Sequence, residues 1–411
     1  MTGDRSSPLR FVAREWRLEE RRPAVAARGL AERATGSRAG AGARGSRAGA
    51  TAYLAWPDAR APRQIVPAGR GDVAAWLRRT FEPWVRRRPD AATWSALRAR
   101  SLVLASGPGS ALLAAEEALG RPLGGAALGC VSDSGHELAK LLCFVFEAGA
   151  SEPVVVAKGI PRPGEGERLV GETDMTRALR ERLPAGLAEA LPPDPLWTGR
   201  VAGDDIVVER PDPLAAATGR EDRAAALGWL RGFHEATAHD RWGTDADLAA
   251  ADDMLGYAAA QAALSDAAAL KARWRELWDE VRSLAPPRCA VHGDFWRGNV
   301  AVDGGRLRVY DWEWTSPSGH PLLDLWSYEL GALRGRADSP ETVADELAAA
   351  CRRVEDELAA RGLDRRLALA LLAPVTAELG YRVRRVRGTP PDHEDRPAAL
   401  LLGAARLIAR R

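Results

Sequence analysis

Apolar and polar positions along the chain change period at a few clear points. Between Gly124 and Arg210 the apolar residues come in short blocks, Ala126–Ser132, Lys140–Phe146 and Val154–Lys158, with turn residues 147–152 between the last two. Such blocks predict three strands. A helix over roughly Glu165–Leu183 should follow, then two more strands, Leu196–Val201 and Asp205–Glu209, joined by Ala202-Gly203-Asp204. Beyond Pro211-Asp212-Pro213, Leu, Ala and Trp recur at i, i+3, i+4 over 221–237, 246–285, 339–361 and 364–386, which predicts helices. One hairpin interrupts them, Val300–Val302 and Leu307–Tyr310, closed by Asp303-Gly304-Gly305.

Upstream of these blocks, Ala61–Pro67 reads as extended. Val73, Trp76, Leu77, Phe81 and Trp84 share one helical face, which Pro83 is expected to split. Residues 1–50 hold eleven arginines against five acids and end in GSRAGAGARGSRAGA, where Gly and Ala offer nothing to bury. Disorder is expected there. The expected fold is α+β and bilobal: a tail (1–50), an extension packing on the next lobe (51–119), a small β-rich N-lobe with one helix (120–210), and a larger, mostly helical C-lobe (211–411).

Composition narrows the function. With 46% apolar and 28% charged residues the chain is an ordinary globular one, and its net charge of +2 is made of +6 in residues 1–50 and −4 in the rest. The body therefore has no basic footprint for nucleic acid. No apolar run reaches 18 residues, and charges interrupt the N-terminus where a secretory signal would need its apolar core, so neither a membrane partner nor export is expected. Cys130, Cys143, Cys289 and Cys351 are widely spaced with no metal-ligand pattern. They read as reduced packing residues of a cytoplasmic protein. Only Lys140, Lys158 and Lys271 are lysines among 58 basic residues, so each retained lysine marks a place where Arg would not serve.

The chemistry concentrates in His292-Gly293-Asp294-Phe295-Trp296-Arg297-Gly298-Asn299 and in Asp311-Trp312-Glu313. The hairpin between them returns the chain to its starting level, so Asp311 should land near Asn299. A carboxylate and an amide oxygen suit Mg²⁺, a hard cation that keeps company with phosphates. A further carboxylate, Asp294, could orient or deprotonate an acceptor hydroxyl. The aromatics Phe295, Trp296, Trp312, Trp314 and Trp326 crowd the same motif, with Trp296 and Trp314 the best placed to stack on a ligand. Asp245, Asp247, Asp252 and Asp253 read as a solvated helix start or as an attractant for a cationic substrate. Arg382, Arg384, Arg385 and Arg387 read as a solvated helix face.

Over roughly Gly124–Leu330 the chain resembles the aminoglycoside phosphotransferase family of small-molecule kinases. The resemblance rests on H-G-D-x-x-x-x-N followed by D-W-E. It implies ATP and Mg²⁺, with Asp294 as the base, Asn299 and Asp311 as metal ligands, and His292 and Asp324 as supports of the loop. It also implies that Lys158 reaches the phosphates and that Glu172 orients it, with Glu165 and Glu167 as rivals for that place. Ser134 and Gly135 lie in the phosphate-covering turn, Lys140 stands just after it, and Val207-Val208-Glu209-Arg210 forms the hinge against adenine. The turn lacks the G-x-G-x-x-G of protein kinases.

The expected activity is thus phosphorylation of a hydroxyl on a small-molecule acceptor, whether aminoglycoside, sugar or amino alcohol. A protein kinase fits less well: no Arg separates His292 from Asp294, and nine residues between Asp311 and Pro321 leave no room for an activation segment. A metallophosphoesterase would need several His and Asp ligands from separate motifs, and the six histidines show no such set. A non-catalytic nucleotide-binding module is the remaining alternative.

Overall fold

The computed structural model describes residues 51–56, 64–67, 70–81, 102–105, 110–132, 140–160, 166–201, 203–212, 222–331, 340–387 and 395–409. The expected disordered tail, the turn at Pro83 and Trp84, and the candidate residues Ser134, Gly135 and Glu165 lie outside them. The fold is α+β, and the chain divides into two compact units, residues 1–177 with 193–216 and residues 178–192 with 217–411.

The first unit is built on one antiparallel sheet of eight strands in the order β3-β1-β2-β4-β5-β6-β8-β7. Its strands are β1 (Thr51–Trp56), β2 (Gln64–Pro67), β3 (Leu102–Ala105), β4 (Ala127–Ser132), β5 (Leu141–Phe146), β6 (Val155–Gly159), β7 (Trp197–Val201) and β8 (Asp204–Glu209). The five expected strands form within a residue or two of their predicted bounds. Three more come from the extension, joined through β2 to β4 at Gln64↔Val131 and Ile65↔Cys130. The helices are α1 (Gly71–Phe81), α2 (Ser110–Leu119) and α3 (Glu167–Arg182), which runs across the division between the units.

Both faces of this sheet are covered, which is why β5 reads LLCFVF without polar alternation. One face packs Leu128, Cys130, Cys143, Val145, Val155, Ala157, Ile206 and Val208 against Ala111, Ala114 and Ala115 of α2. The other packs Ala127, Phe144, Phe146 and Val156 against Val73, Trp76 and Leu77 of α1. Gly129 is needed for that contact, because a Cβ there would stand 2.9 Å from both Val73 and Leu77. Trp76 anchors α1 by donating from Nε1 to Glu152 in the β5–β6 turn, 2.7 Å. Cys130 and Cys143 face each other across β4 and β5 with Sγ atoms 3.0 Å apart, and all four cysteines are free and buried.

The second unit is mostly helical: α4 (Ala185–Ala188), α5 (Arg223–Thr237), α6 (Asp245–Gln261), α7 (Ala267–Val281), α8 (Pro321–Gly331), α9 (Pro340–Ala360), α10 (Arg366–Arg387) and α11 (Asp395–Ala409). The single stretch expected over 246–285 is two helices. Ala263 takes a left-handed φ of 50°, and Asp266 starts α7 by accepting from the Ala269 amide, 3.0 Å. Four short strands complete the unit, β9 (Cys289–Val291) pairing with β12 (Ser316–Gly319), and β10 (Val300–Asp303) pairing with β11 (Arg306–Val309). The β10–β11 turn carries Gly304 and Gly305 at φ 56° and 78°, as a two-residue hairpin of this kind requires. Trp274, Trp278, Trp312, Trp326, Phe233 and Phe295 are its largest fully buried side chains. Among the described residues, no helix is long and apolar enough to cross a membrane.

Candidate active site

Strand β9 is buried along its length and delivers His292 into the core of the second unit. From there the loop is tied at almost every polar atom. Asp324, fully buried near the start of α8, accepts from the backbone amides of His292 (2.8 Å to Oδ2) and Gly293 (2.7 Å to Oδ1). His234 of α5 stands 3.3 Å from the same Oδ2, and burial lowers its pKa below the ordinary value, with Asp324 opposing the shift. His292 accepts the Asp294 amide at Nδ1 (3.2 Å), so its proton sits on Nε2 and donates to the Tyr310 carbonyl (2.8 Å). Gly293 holds φ 82°, and a side chain there would run into the carbonyl of Trp314. Only glycine fits that position.

Two oxygen-bearing side chains meet beyond this brace, and the chain brings the backbone of a third such residue, Asp311, beside them. Asn299 Nδ2 donates to the Asp294 backbone carbonyl (2.9 Å) and to its Oδ2 (3.3 Å). The Tyr310 amide donates to the Asn299 carbonyl, 2.8 Å, so Asp311, the next residue, leaves β11 beside Asn299. Asp311 itself holds φ 65°, one of two non-glycine residues with positive φ among those described. Backbone strain of this sort costs on the order of 1–3 kcal/mol and collects where a side chain must be aimed. The Asn299 nitrogen is committed to Asp294, and an amide oxygen from Asn299 with a carboxylate from Asp311 is a donor set that fits Mg²⁺. No cluster of three or more His, Cys, Asp or Glu able to hold a metal occurs among the described residues. A cation here would thus draw its remaining ligands from phosphate and water.

The aromatics divide. Phe295, Trp312 and Trp326 are core residues, with Phe295 and Trp312 against Trp229 of α5, while Trp296 and Trp314 stay partly exposed. Two of the four acids of α6 serve structure. Asp247 closes a capping box with Thr244 and takes Arg288 at 2.5 Å, and Asp252 pairs with Lys271 at 2.9 Å. One reading of the sequence is overturned: Arg382 is not on a solvated face but buried, with Nη2 3.4 Å from Asp294 Oδ1 and Cζ 4.6 Å above the Trp314 ring. Arg382 is buried together with its neighbour Tyr381. The side chains of Arg384, Arg385 and Arg387 lie outside the described residues. Burial pushes the Cys289 thiol well up, so this neighbour of the loop is no nucleophile.

In the first unit Lys158 and Glu172 are near each other but do not form the expected pair. Lys158 Nζ bonds Glu209 Oε1 at 2.8 Å, and Glu172 Oε2 takes Lys140 Nζ at 2.8 Å. Strand register explains the first bond. Glu209 stands opposite Val156 and Lys158 opposite Val207, so the two charges are diagonal neighbours on one face. Lys140 just precedes β5, whose Leu141 pairs with Gly159, and this brings its chain toward α3. Burial works against the Lys158 charge, but Glu209 and then Glu172 outweigh it and raise the pKa, with Lys140 opposing. Glu209, whose backbone is the part expected at the hinge, also places its carboxylate on Lys158.

A family model described as the phosphotransferase enzyme family (APH) matches residues 146–363. No curated protein sequence matches the chain. Similar solved structures include the choline kinase LicA from Streptococcus pneumoniae, at 14% identity over 66% of this chain and 90% of that one, TM-score 0.42. A thermostable mutant of the aminoglycoside phosphotransferase APH(4)-Ia in its apo form is 18% identical over 73% of this chain and 98% of that one, TM-score 0.46. The macrolide 2'-phosphotransferase MphH from Brachybacterium faecium is 18% identical over 64% of this chain and 88% of that one, TM-score 0.40.

Proposed function

The chain belongs to the phosphotransferase enzyme family, whose model spans just over half of it, and from that premise we propose that it moves the terminal phosphate of ATP to a hydroxyl of a small molecule. The observation that carries the reading is Asp294 bonded to Asn299 on one braced loop, with the backbone of Asp311 brought beside Asn299 and held at φ 65°. In the step, the acceptor oxygen bonds to the terminal phosphorus. The bond from phosphorus to the bridging oxygen breaks, its electron pair leaves with ADP, and the hydroxyl proton passes to Asp294. Catalysis is then chiefly positioning and charge neutralisation.

Asp311 and Asn299 would hold Mg²⁺, which when bound neutralises phosphate charge. Lys158 would bind the nucleotide phosphates, released from Glu209 as they arrive, and Lys140 would lie close by. An acceptor with a hydroxyl on an aminosugar, sugar or amino alcohol suits the partly exposed faces of Trp296 and Trp314.

The test is protection of the full chain against thermal unfolding by MgATP. Asp311→Ala and Lys158→Ala should each weaken that protection, whereas Asp294→Asn should keep it and lose transfer on the order of 10²–10⁴-fold. Undiminished protection in both of the first two variants would place the nucleotide elsewhere.

A further inference from the structure

The carboxylate of Asp294 is held from two sides by two different elements. Asn299 Nδ2 reaches Oδ2 at 3.3 Å, and Arg382 Nη2 of α10 stands 3.4 Å from Oδ1. The same guanidinium donates from Nη1 to the Gly293 carbonyl and lies with Cζ 4.6 Å from the centroid of Trp314. Its side chain is only 10% exposed, and its Nε is buried with no hydrogen-bond partner. A cation is costly to bury unless it is paired. One face on an indole, one nitrogen on a backbone carbonyl and one beside a carboxylate leave this group no freedom to turn toward solvent. Position 382 also lies beyond residues 146–363, the stretch that the family model matches.

We propose that Arg382 is a positioning residue for phosphoryl transfer, setting the orientation of Asp294 from the side opposite Asn299. The proposal rests on the reading of Asp294 as the group that takes the acceptor proton. An ionised carboxylate offers about four acceptor positions, and a partner beside each oxygen, Asn299 on Oδ2 and Arg382 near Oδ1, opposes rotation about the Cβ–Cγ bond. Arg382 forms and breaks no bond in the step; it acts through Asp294 alone. Displacement of a reacting group by about an ångström can cost on the order of 10²-fold in rate, which sets the scale of the effect. Lysine at this position would keep the charge but not the planar fork that reaches Gly293 and Asp294 together.

The experiment uses the full-length protein with radiolabelled MgATP, reading transfer to water and to a panel of amino alcohols and aminosugars, in Arg382→Met, Arg382→Lys, Asp294→Asn and the double variant Asp294→Asn/Arg382→Met. Arg382→Met should lower kcat on the order of 10- to 10²-fold with KM for ATP within about twofold, and Arg382→Lys should recover part of the loss. In the Asp294→Asn background the Met substitution should cost nothing further, because residues that act as a unit are not additive. A folded Arg382→Met protein with unchanged kcat overturns the proposal, and so do losses that multiply in the double variant. If Arg382→Met does not fold, Arg382→Lys is read against the same two criteria. Failure of the underlying reading looks different: Asp294→Asn would then transfer phosphate as the parent does.

Discussion

The loop from His292 to Asn299 and the lysine cluster of the eight-stranded sheet carry charges of equal importance, yet they are built in opposite ways. In the loop, the backbone that carries Asp294 is tied through its own amides and carbonyls: His292 to Tyr310, Asp324 to the amides of His292 and Gly293, Asn299 to the Asp294 carbonyl. In the sheet, Lys140, Lys158, Glu172 and Glu209 are long side chains whose pairing depends on strand register and on where α3 packs. Backbone-tied groups have one available arrangement. Two lysines facing two glutamates have two, and the observed pairs are the ones that register favours. A loop of the first kind suits a group that must be aimed, and a cluster of the second kind suits groups that must change partner when a polyanion arrives.

That contrast is most exposed by Asp324→Ala. It leaves two buried amides and His234 without their acceptor, and each buried donor left unsatisfied costs about 1–3 kcal/mol, so the total is several kcal/mol. Chemical denaturation should show a loss of this order, together with loss of transfer; a loss below about 1 kcal/mol would mean the loop is held by something else. The cluster should respond more gently. In double-mutant cycles, Lys140→Met with Glu172→Gln should couple by about 1 kcal/mol, and Lys158→Met with Glu172→Gln by clearly less. The reverse order would restore the pairing first expected from sequence.

A third effect is set by pH. Burial pulls His320 down to about 3, with its Nδ1 accepting the Leu322 amide at 2.9 Å, and burial lowers His234 in the same direction. Both are neutral in the fold, while the unfolded chain takes up protons below about 6.5. Their contribution is therefore fully present above that pH and is lost as pH falls from 6.5 toward the folded values. Each should steepen the loss by up to about 1.4 kcal/mol per pH unit. Unfolding free energies measured between pH 7 and 5 should decline, and His320→Asn should flatten the decline; an unchanged slope would remove His320 as its source.

The strands and most helices were readable because each has its own period: β5 as an unbroken apolar block, α5 as Leu227, Leu230 and Phe233 along one face. The elements that escaped have no such period. Strand β12 reads Ser-Pro-Ser-Gly, and its strand character comes from pairing with β9. Of the extension's strands only β2 was read as extended; β1 and β3 enter the sheet through hydrogen bonds to one another and to β2, which no local pattern announces. Arg382 escaped for a related reason. In RVRRVR every arginine looks alike, and only the packing of α10 decides which of them meets Asp294.

What the sequence by itself determined is the order of the chemical groups and the local geometry of the loop that bears them. Gly293 can take a left-handed φ where a side chain would strike Trp314, and a two-residue Gly-Gly turn returns β11 to Asn299; both are short-range consequences of residue type. Only the tertiary structure decided the partners of the charges: Glu172 with Lys140, Glu209 with Lys158, and Arg382 against Asp294. Long charged side chains have reach and rotamer freedom enough to meet several partners, so their pairing is settled by register and helix packing, which no nearest-neighbour pattern in the chain records.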